Sequence, residues 1–218
     1  MKTAIVTPCF LEGLDPSGSF RLSRNIRYIE YYTRLKDNLR FDDIWLLDNA
    51  SSYDSIQRLH NEVKTPFNLF RFPERLTHTG GPYGYPYCWR ALGFIENLMN
   101  IGYDRIFLID SDCFVVSQKL VNFMNECNSG WQTLWCKKWN FPEASFQIIT
   151  RDVFHHFKEF MGEDPMQHVD KCMETVLPFT HINKEFNADR FGEDRIPQGP
   201  GMDLYSQCPT NIQMTFEL

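Results

Sequence analysis

Short apolar runs and longer amphipathic stretches take turns along the first half of the chain. Thr3-Ala4-Ile5-Val6-Thr7, halted by Pro8, reads as a strand. After a loop rich in Gly, Pro and Ser from Leu11 to Ser19, Leu22, Ile26, Ile29, Tyr32, Leu35 and Leu39 step by three and four, which predicts a helix with one buried stripe. A second strand, Asp43 to Leu47, ends in Asp48-Asn49-Ala50-Ser51-Ser52, whose last residues suit the N-cap of a helix carrying Ile56, Leu59 and Val63. Thr65-Pro66 stops that helix. Phe67 to Phe72 predicts a third strand closed by Pro73. The Gly-rich loop from Glu74 to Pro86 is too long for a simple connector. A helix with Cys88, Leu92, Ile95 and Leu98 or Met99 on one face follows and is stopped by Gly102.

Ile106 to Ile109 is continuously apolar, the pattern of a central parallel strand buried on both faces. Beyond it the pattern predicts a helix near Gln118 to Asn128, strands over Gln132 to Cys136 and Ser145 to Thr150, a helix from Arg151 to Met161, and another near Met166 to Val176. Alternating strands and helices predict an α/β class with a mostly parallel central sheet in a three-layer, Rossmann-like sandwich. With no repeat or linker, 218 residues suit one domain.

The strand ends carry the chemistry. Ile109 runs into Asp110-Ser111-Asp112, an acidic pair that chance alone would supply about once in a chain with 15 Asp. In parallel sheets, ligands collect beyond the carboxyl ends of the strands. If the first, second and fourth strands are neighbours, Thr7 and Pro8, Asp48, and Asp110 to Asp112 converge on one rim. Two carboxylates there make a seat for a divalent cation; the competing reading is that they only cap the following turn.

Charge and composition narrow the class. A formal charge of −6 and a pI near 5.5 argue against a nucleic-acid partner. An acidic protein that handles a diphosphate needs local positive charge, which Mg²⁺ or Mn²⁺ on carboxylates would supply. No apolar run approaches the roughly 20 residues of a membrane span. Met1-Lys2 leads straight into the first strand, so a cytoplasmic protein is expected. Seven cysteines without a CxxC pair suggest reduced, buried thiols.

These segments resemble glycosyltransferases of the GT-A fold, closest in pattern to the large family 2 of nucleotide-sugar enzymes. Ala4 to Glu12 is similar to that family's opening strand and its Pro-x-Tyr-Asn-Glu end, with Phe10 for Tyr and Leu11 for Asn. Asp43 to Ser55 resembles its strand ending in Asp-Asp/Asn-x-Ser-Thr-Asp-x-Ser, and Ile109-Asp110-Ser111-Asp112 its metal-binding DXD motif. The likeness covers roughly the first 115 residues. It implies a nucleotide-binding half over 1–115 and an acceptor-binding half over 116–218. The implied activity is transfer of a sugar from a nucleoside diphosphate donor, UDP favoured, to a hydroxyl of a glycan, lipid-linked or protein acceptor, with inversion.

By the same resemblance, Asp112 is the direct ligand of Mn²⁺ or Mg²⁺, and Asp110 serves the ribose or a water of the ion, with Ser111 between them. Asp48 accepts a hydrogen bond from a uracil-type base, since a carboxylate selects a base edge bearing N–H; N-cap service to the next helix is the alternative. Thr7, Pro8 and Phe10 form the floor for that base. His181 is a candidate third metal ligand, and Arg75 and Arg90 are candidates to reach the diphosphate. A general base must take the acceptor proton. Asp194, beside Glu193, resembles the family's Glu-Asp motif, and Glu143 and Asp152 are the alternatives. Tyr83, Tyr85, Tyr87 and Trp139 are candidate walls for a sugar acceptor. Two rivals stand: a nucleotidyltransferase, which should carry a basic Gly-rich loop where Leu11-Glu12-Gly13-Leu14-Asp15 is acidic, and a nucleotide-sugar-binding module without chemistry.

Overall fold

A computed structural model describes residues 1–14, 20–77, 84–162, 164–209, 212 and 214–216. The first half holds β1 (Thr3–Cys9), α1 (Arg21–Leu35), β2 (Asp43–Asp48), α2 (Tyr53–Glu62), β3 (Asn68–Arg71), α3 (Pro86–Asn100) and β4 (Arg105–Ile109). The second holds β5 (Phe114–Val115), α4 (Gln118–Glu126), β6 (Trp131–Cys136), β7 (Phe141–Thr150), α5 (Phe154–Met161), α6 (Met173–Val176), β8 (His181–Asn183) and β9 (Leu204–Tyr205).

Seven strands form one sheet in the order β3-β2-β1-β4-β7-β6-β8, and β5 pairs with β9 in a small second sheet. The four strands of the first half are mutually parallel, β7 runs antiparallel to β4 and β6, and β8 is parallel to β6. Apolar residues cover both faces, which is why β1 and β4 read as unbroken apolar runs. Ile5, Ile29, Leu46, Leu59, Phe107 and Leu120 form the core under α1, α2 and α4. Ala4, Val6, Leu92, Ile95, Ile106 and Phe157 form the core under α3 and α5. The result is the expected three-layer α/β arrangement.

Local signals account for most boundaries. Ser52 caps α2 by accepting from Ser55 N–H at 3.3 Å, and Pro86 opens α3 at its first position. Several boundaries differ from the periodicity, and β1, expected to halt at Pro8, pairs through it to Cys9 beside Asp48. The stripe expected to run to Leu39 ends as helix at Leu35, although Leu39 stays buried beyond a short turn. α4 stops at Glu126, and the helix expected from Arg151 opens with a 3₁₀ turn, Arg151–Val153. β7 is ten residues long because Phe141 and Pro142 still pair with β6 past a bulge between Thr133 and Trp135.

The helix expected over Met166 to Val176 does not form as one element. Asp164 turns its side chain onto Met166 N–H at 2.8 Å and starts only a 3₁₀ turn, Pro165–His168. The His168 ring then stacks on Phe160 at 4.6 Å while its Nε2 meets the Phe160 carbonyl at 3.0 Å. That tertiary anchor outweighs the local helical pattern.

Register fixes the rim. Cys9 lies beside Asp48, and Val6 beside Leu108, so β1, β2 and β4 end together. Ile109 pairs with Phe146, and Asp110 N–H donates to the Ser145 carbonyl at 2.9 Å, so residues 141–145 of β7 run out past the same rim. The opposite rim has its own duty. Arg105, 2% exposed, donates to the carbonyls of Met124 and Cys127 at 2.7 and 2.8 Å and closes the C-terminal end of α4.

Candidate active site

The loop that carries Asp110 and Asp112 is held from below by three tyrosines of α1. Tyr28 Oη donates to the Ile109 carbonyl at 3.0 Å, Tyr32 Oη to the Cys113 carbonyl at 3.1 Å, and Tyr31 Oη to the Val115 carbonyl at 2.6 Å. Tyr32 Oη also accepts from Val115 N–H at 3.3 Å. Burial pushes the phenols of all three well up, so they stay protonated donors. A buried tyrosine needs a partner for its hydroxyl, and three on one helix face were a sequence signal for a polar seam. From the other end of the chain, Cys208 N–H donates to the Asp112 carbonyl at 2.9 Å.

Around this loop the charges are unbalanced. Asp112 faces Arg24 of α1 at 3.6 Å. The Asp110 carboxyl is pushed well above the usual Asp value of 3.8, first by desolvation and then by the negative charges of Asp112 and Glu143, with Glu174 adding to them and Arg24 opposing. Tyr87 and Cys88, on the first turn of α3, face the same charges, and each is pushed up mainly by burial with Asp110 contributing. Sequence reading did not find Arg24 or Glu174, and it placed Cys88 only in the buried stripe of its helix. Glu174 lies in the stretch expected as one helix over Met166 to Val176, and only the folding of that stretch into the short α6 brings it to Arg190.

Glu143 is fully buried. Arg190 holds it through two contacts, Nε to Oε2 at 2.7 Å and Nη2 to Oε1 at 3.1 Å, and Ser145 Oγ donates to Oε1 at 2.7 Å. Arg190 also reaches Glu174 at 2.7 Å and Glu193 at 3.5 Å. The guanidinium is thus the hub of three carboxylates, and their charges outweigh its desolvation to push its pKa up. Both oxygens of Glu143 are engaged in these contacts in the interior.

Other expected site residues fall as follows. Asp48 is 0% exposed, and Ser51 occupies both of its oxygens, N–H to Oδ2 at 2.8 Å and Oγ to Oδ1 at 2.6 Å. Its carboxylate therefore closes the turn between β2 and α2. Thr7, expected in the floor for a base, is fully buried with its hydroxyl turned onto the Pro8 carbonyl at 3.3 Å, and so presents no side-chain surface at the rim. Phe10 stands at the rim with the Arg75 guanidinium 4.1 Å over its ring. Arg90 is committed to the Glu74 carbonyl at 2.9 Å, to Asn49 and to the Phe72 ring, and so pins the start of the Gly-rich loop. Ser111 is 3% exposed. Tyr83 lies outside the described residues.

Lys138 Nζ contacts Glu193 and Asp194 at 3.0 and 2.7 Å, and of the two carboxylates Asp194 is the more exposed. Asp152 and His181 are elsewhere. Asp152 accepts from Gly130 N–H and from the Thr150 hydroxyl, and Thr150 pairs with Arg105 at the start of β4. The His181 ring sits near the same Gly130, on β8, three strands from β4 and at the rim opposite Asp110. Three strand spacings are about 14 Å. His181 cannot share an ion with Asp112.

Asp110 and Asp112 are hard oxygen donors, which fits Mg²⁺ or Mn²⁺. Among the described residues no group of three or more His, Cys, Asp or Glu gathers as a metal cage. Two carboxylates are the donor set expected of an ion that keeps waters and completes its shell with substrate phosphates.

No family model matches the sequence, and no curated protein does. Solved structures do. A glycosyltransferase involved in the glycosylation of the major capsid of PBCV-1 is 9% identical over 95% of this chain and 94% of its own, with a TM-score of 0.47. A mannosyltransferase from Pyrobaculum calidifontis, solved with GDP-Man and Mn²⁺, is 10% identical over 71% of this chain and 46% of its own, with a TM-score of 0.41. The 4-diphosphocytidyl-2C-methyl-D-erythritol synthase from Anaerococcus prevotii is 10% identical over 84% and 86%, with a TM-score of 0.45.

Two measurements test the geometry. Tyr32→Phe removes two hydrogen bonds at a buried site and should lower stability by about 2 kcal/mol in urea unfolding; an unchanged midpoint would mean the clamp is ornamental. A raised carboxyl pKa adds stability that is full below the unfolded value and is lost as pH rises through the folded one. In chelator, Asp110→Asn should therefore melt above the parent at pH 8, with the gap closing toward pH 4. A constant gap across that range would contradict the charge crowding.

Proposed function

We propose that the chain is a metal-dependent glycosyltransferase of the GT-A type, moving a sugar from a nucleoside diphosphate to a hydroxyl acceptor. The observation that carries this reading is the meeting of three parallel strand ends, which brings Phe10, Asp48 and the Asp110–Asp112 pair to one rim. A surplus of carboxylates there calls for a cation. In the reaction the acceptor oxygen attacks the anomeric carbon, the bond from that carbon to the diphosphate oxygen breaks, and the hydroxyl proton passes to a base. A divalent ion, when bound, supplies Lewis-acid relief of the charge on the departing diphosphate. Asp112 and Asp110 hold that ion. Asp194 takes the proton after parting from Lys138, with Glu193 as its neighbour on the same ammonium.

In this reading residues 1–115 hold the donor and 116–218 the acceptor, which is a glycan, a lipid-linked sugar or a protein hydroxyl. Inversion rests on the family 2 resemblance alone. Uridine is favoured by the place of Asp48 in the motif, where Ser51 takes one lone pair of each carboxylate oxygen and a base N–H takes another. No helix among the described residues is long and apolar enough to cross a membrane. All seven cysteines are free, which suits a reducing, cytoplasmic setting. A nucleotide-sugar-binding module without turnover is the second reading, favoured by the ion pairing of both base candidates with Lys138.

A thermal-shift series with nucleoside diphosphate sugars, with and without Mn²⁺, tests the site. One donor should stabilise the protein only when Mn²⁺ is present, by about 2.7 kcal/mol at 100 times its dissociation constant. Asp112→Ala should abolish the response. No response from any donor, with Asp112→Ala behaving as the parent, would sink the reading. Asp48→Asn separates its two duties: loss of uridine preference marks base contact, whereas a lower melting point with preference intact marks the turn alone. Product formation from the stabilising donor separates the enzyme from the binding module.

A further inference from the structure

The tip of the β6–β7 hairpin, residues 137–140, presents Trp139 to solvent with half of its surface exposed. A large apolar ring so placed is normally free to swing. Here it is pinned. Its Nε1–H donates to Glu193 Oε2 at 2.8 Å, and the Lys138 ammonium lies 5.4 Å from the ring centre while bridging Glu193 and Asp194. Asp189 Oδ1 accepts from the amides of Lys137 and Lys138 at 2.6 and 3.4 Å, so the backbone of the tip is fixed too.

The segment that does the pinning is itself locked to the rim. Arg190 ties it to buried Glu143. Gly192 packs so closely on the chain near 207 that an added Cβ would stand 2.1 Å from the Gln207 carbonyl oxygen. Gly192 N–H donates to the Ser206 carbonyl at 3.1 Å, and two residues on, Cys208 N–H meets Asp112. A chain of fixed contacts thus runs from the indole to the loop that holds the acidic pair.

We propose that Trp139, with Glu193 and Asp194, is a saccharide subsite that receives the acceptor, so that the acceptor is a glycan. The choice of ligand rests on the transfer reading. It also follows from the chemistry of the tip. The indole N–H and two tip amides are already used, so what remains is a ring face edged by the Lys138 ammonium and by two carboxylates that keep lone pairs to accept further hydrogen bonds. A pyranose matches that surface: its C–H face stacks on the ring and its equatorial hydroxyls donate to the carboxylates. A rigid aromatic offers this contact at low entropic cost.

The test uses the whole chain and neutral oligosaccharides of two to four units, built from glucose, galactose, mannose or N-acetylglucosamine in α and β linkage, read by calorimetry and by tryptophan fluorescence. At least one should bind the parent, Trp139→Ala should weaken it tenfold or more, and Trp139→Phe should restore most of the loss. Glu193→Gln keeps a partner for the indole N–H and should weaken binding by a smaller factor. The inference is overturned if no oligosaccharide binds the parent, or if Trp139→Ala binds as the parent does. Titration of the parent with UDP and Mn²⁺ runs alongside: nucleotide binding without saccharide binding removes this subsite and leaves the transfer reading, whereas the converse removes the transfer reading and leaves a saccharide-binding tip.

Discussion

Everything proposed for the rim depends on one short loop keeping its shape, and that shape is imposed by three phenolic hydroxyls of α1. A loop that holds two carboxylates close together is under electrostatic strain, because each negative charge raises the cost of the other. Backbone carbonyls at 109, 113 and 115 would turn to water if they were free. Tyr28, Tyr32 and Tyr31 fix them instead, from a helix whose apolar neighbours are buried in the sheet. The backbone that carries the like charges is thus held by neutral donors, while the carboxylate of Asp112 itself faces Arg24.

A second constraint works at the other edge of the site. Arg190 has a positive φ of 50°, a conformation that costs a non-glycine residue about 1 kcal/mol or more. Its guanidinium repays that through contacts with Glu143, Glu174 and Glu193, which come from β7, α6 and the turn after residue 190. Removing it would strand Glu143 in the interior without a counter-charge, the costly way to break a buried pair. The first half of the chain is therefore organised by hydroxyl-to-carbonyl bonds, and the second half by one shared cation.

Periodicity and turn chemistry made the sheet legible. β1, β2 and β4 announce themselves as apolar runs that break at Pro8, Asp48 and Asp110, and their ends do meet, with β1 carried past Pro8 to Cys9. What sequence could not show was which oxygens were already taken. Asp48 reads as an open carboxylate until Ser51 is seen on both of its oxygens, a local hydrogen bond that Ser and Asp three residues apart are well able to make. His181 looked free to join a metal because strand order in the second half is not encoded locally: β8 is added at the far edge, and sequence distance says nothing of that. Glu174 and Arg190 come from stretches where tertiary contacts decide the conformation, as His168 on Phe160 shows for the broken helix nearby.

The pairing of β5 with β9 has a kinetic side. Phe114 meets Tyr205, and Asp112 meets Cys208, across some ninety residues of intervening chain. Closing a loop of that length costs entropy before any contact rewards it, so such pairings lag behind local ones. During synthesis the acidic loop leaves the ribosome long before the segment that secures it. The parallel sheet can assemble first, but the acidic loop acquires its last backbone partner only when the chain near 208 folds back over it. A polypeptide cut short before that point would carry both aspartates and still lack a finished site.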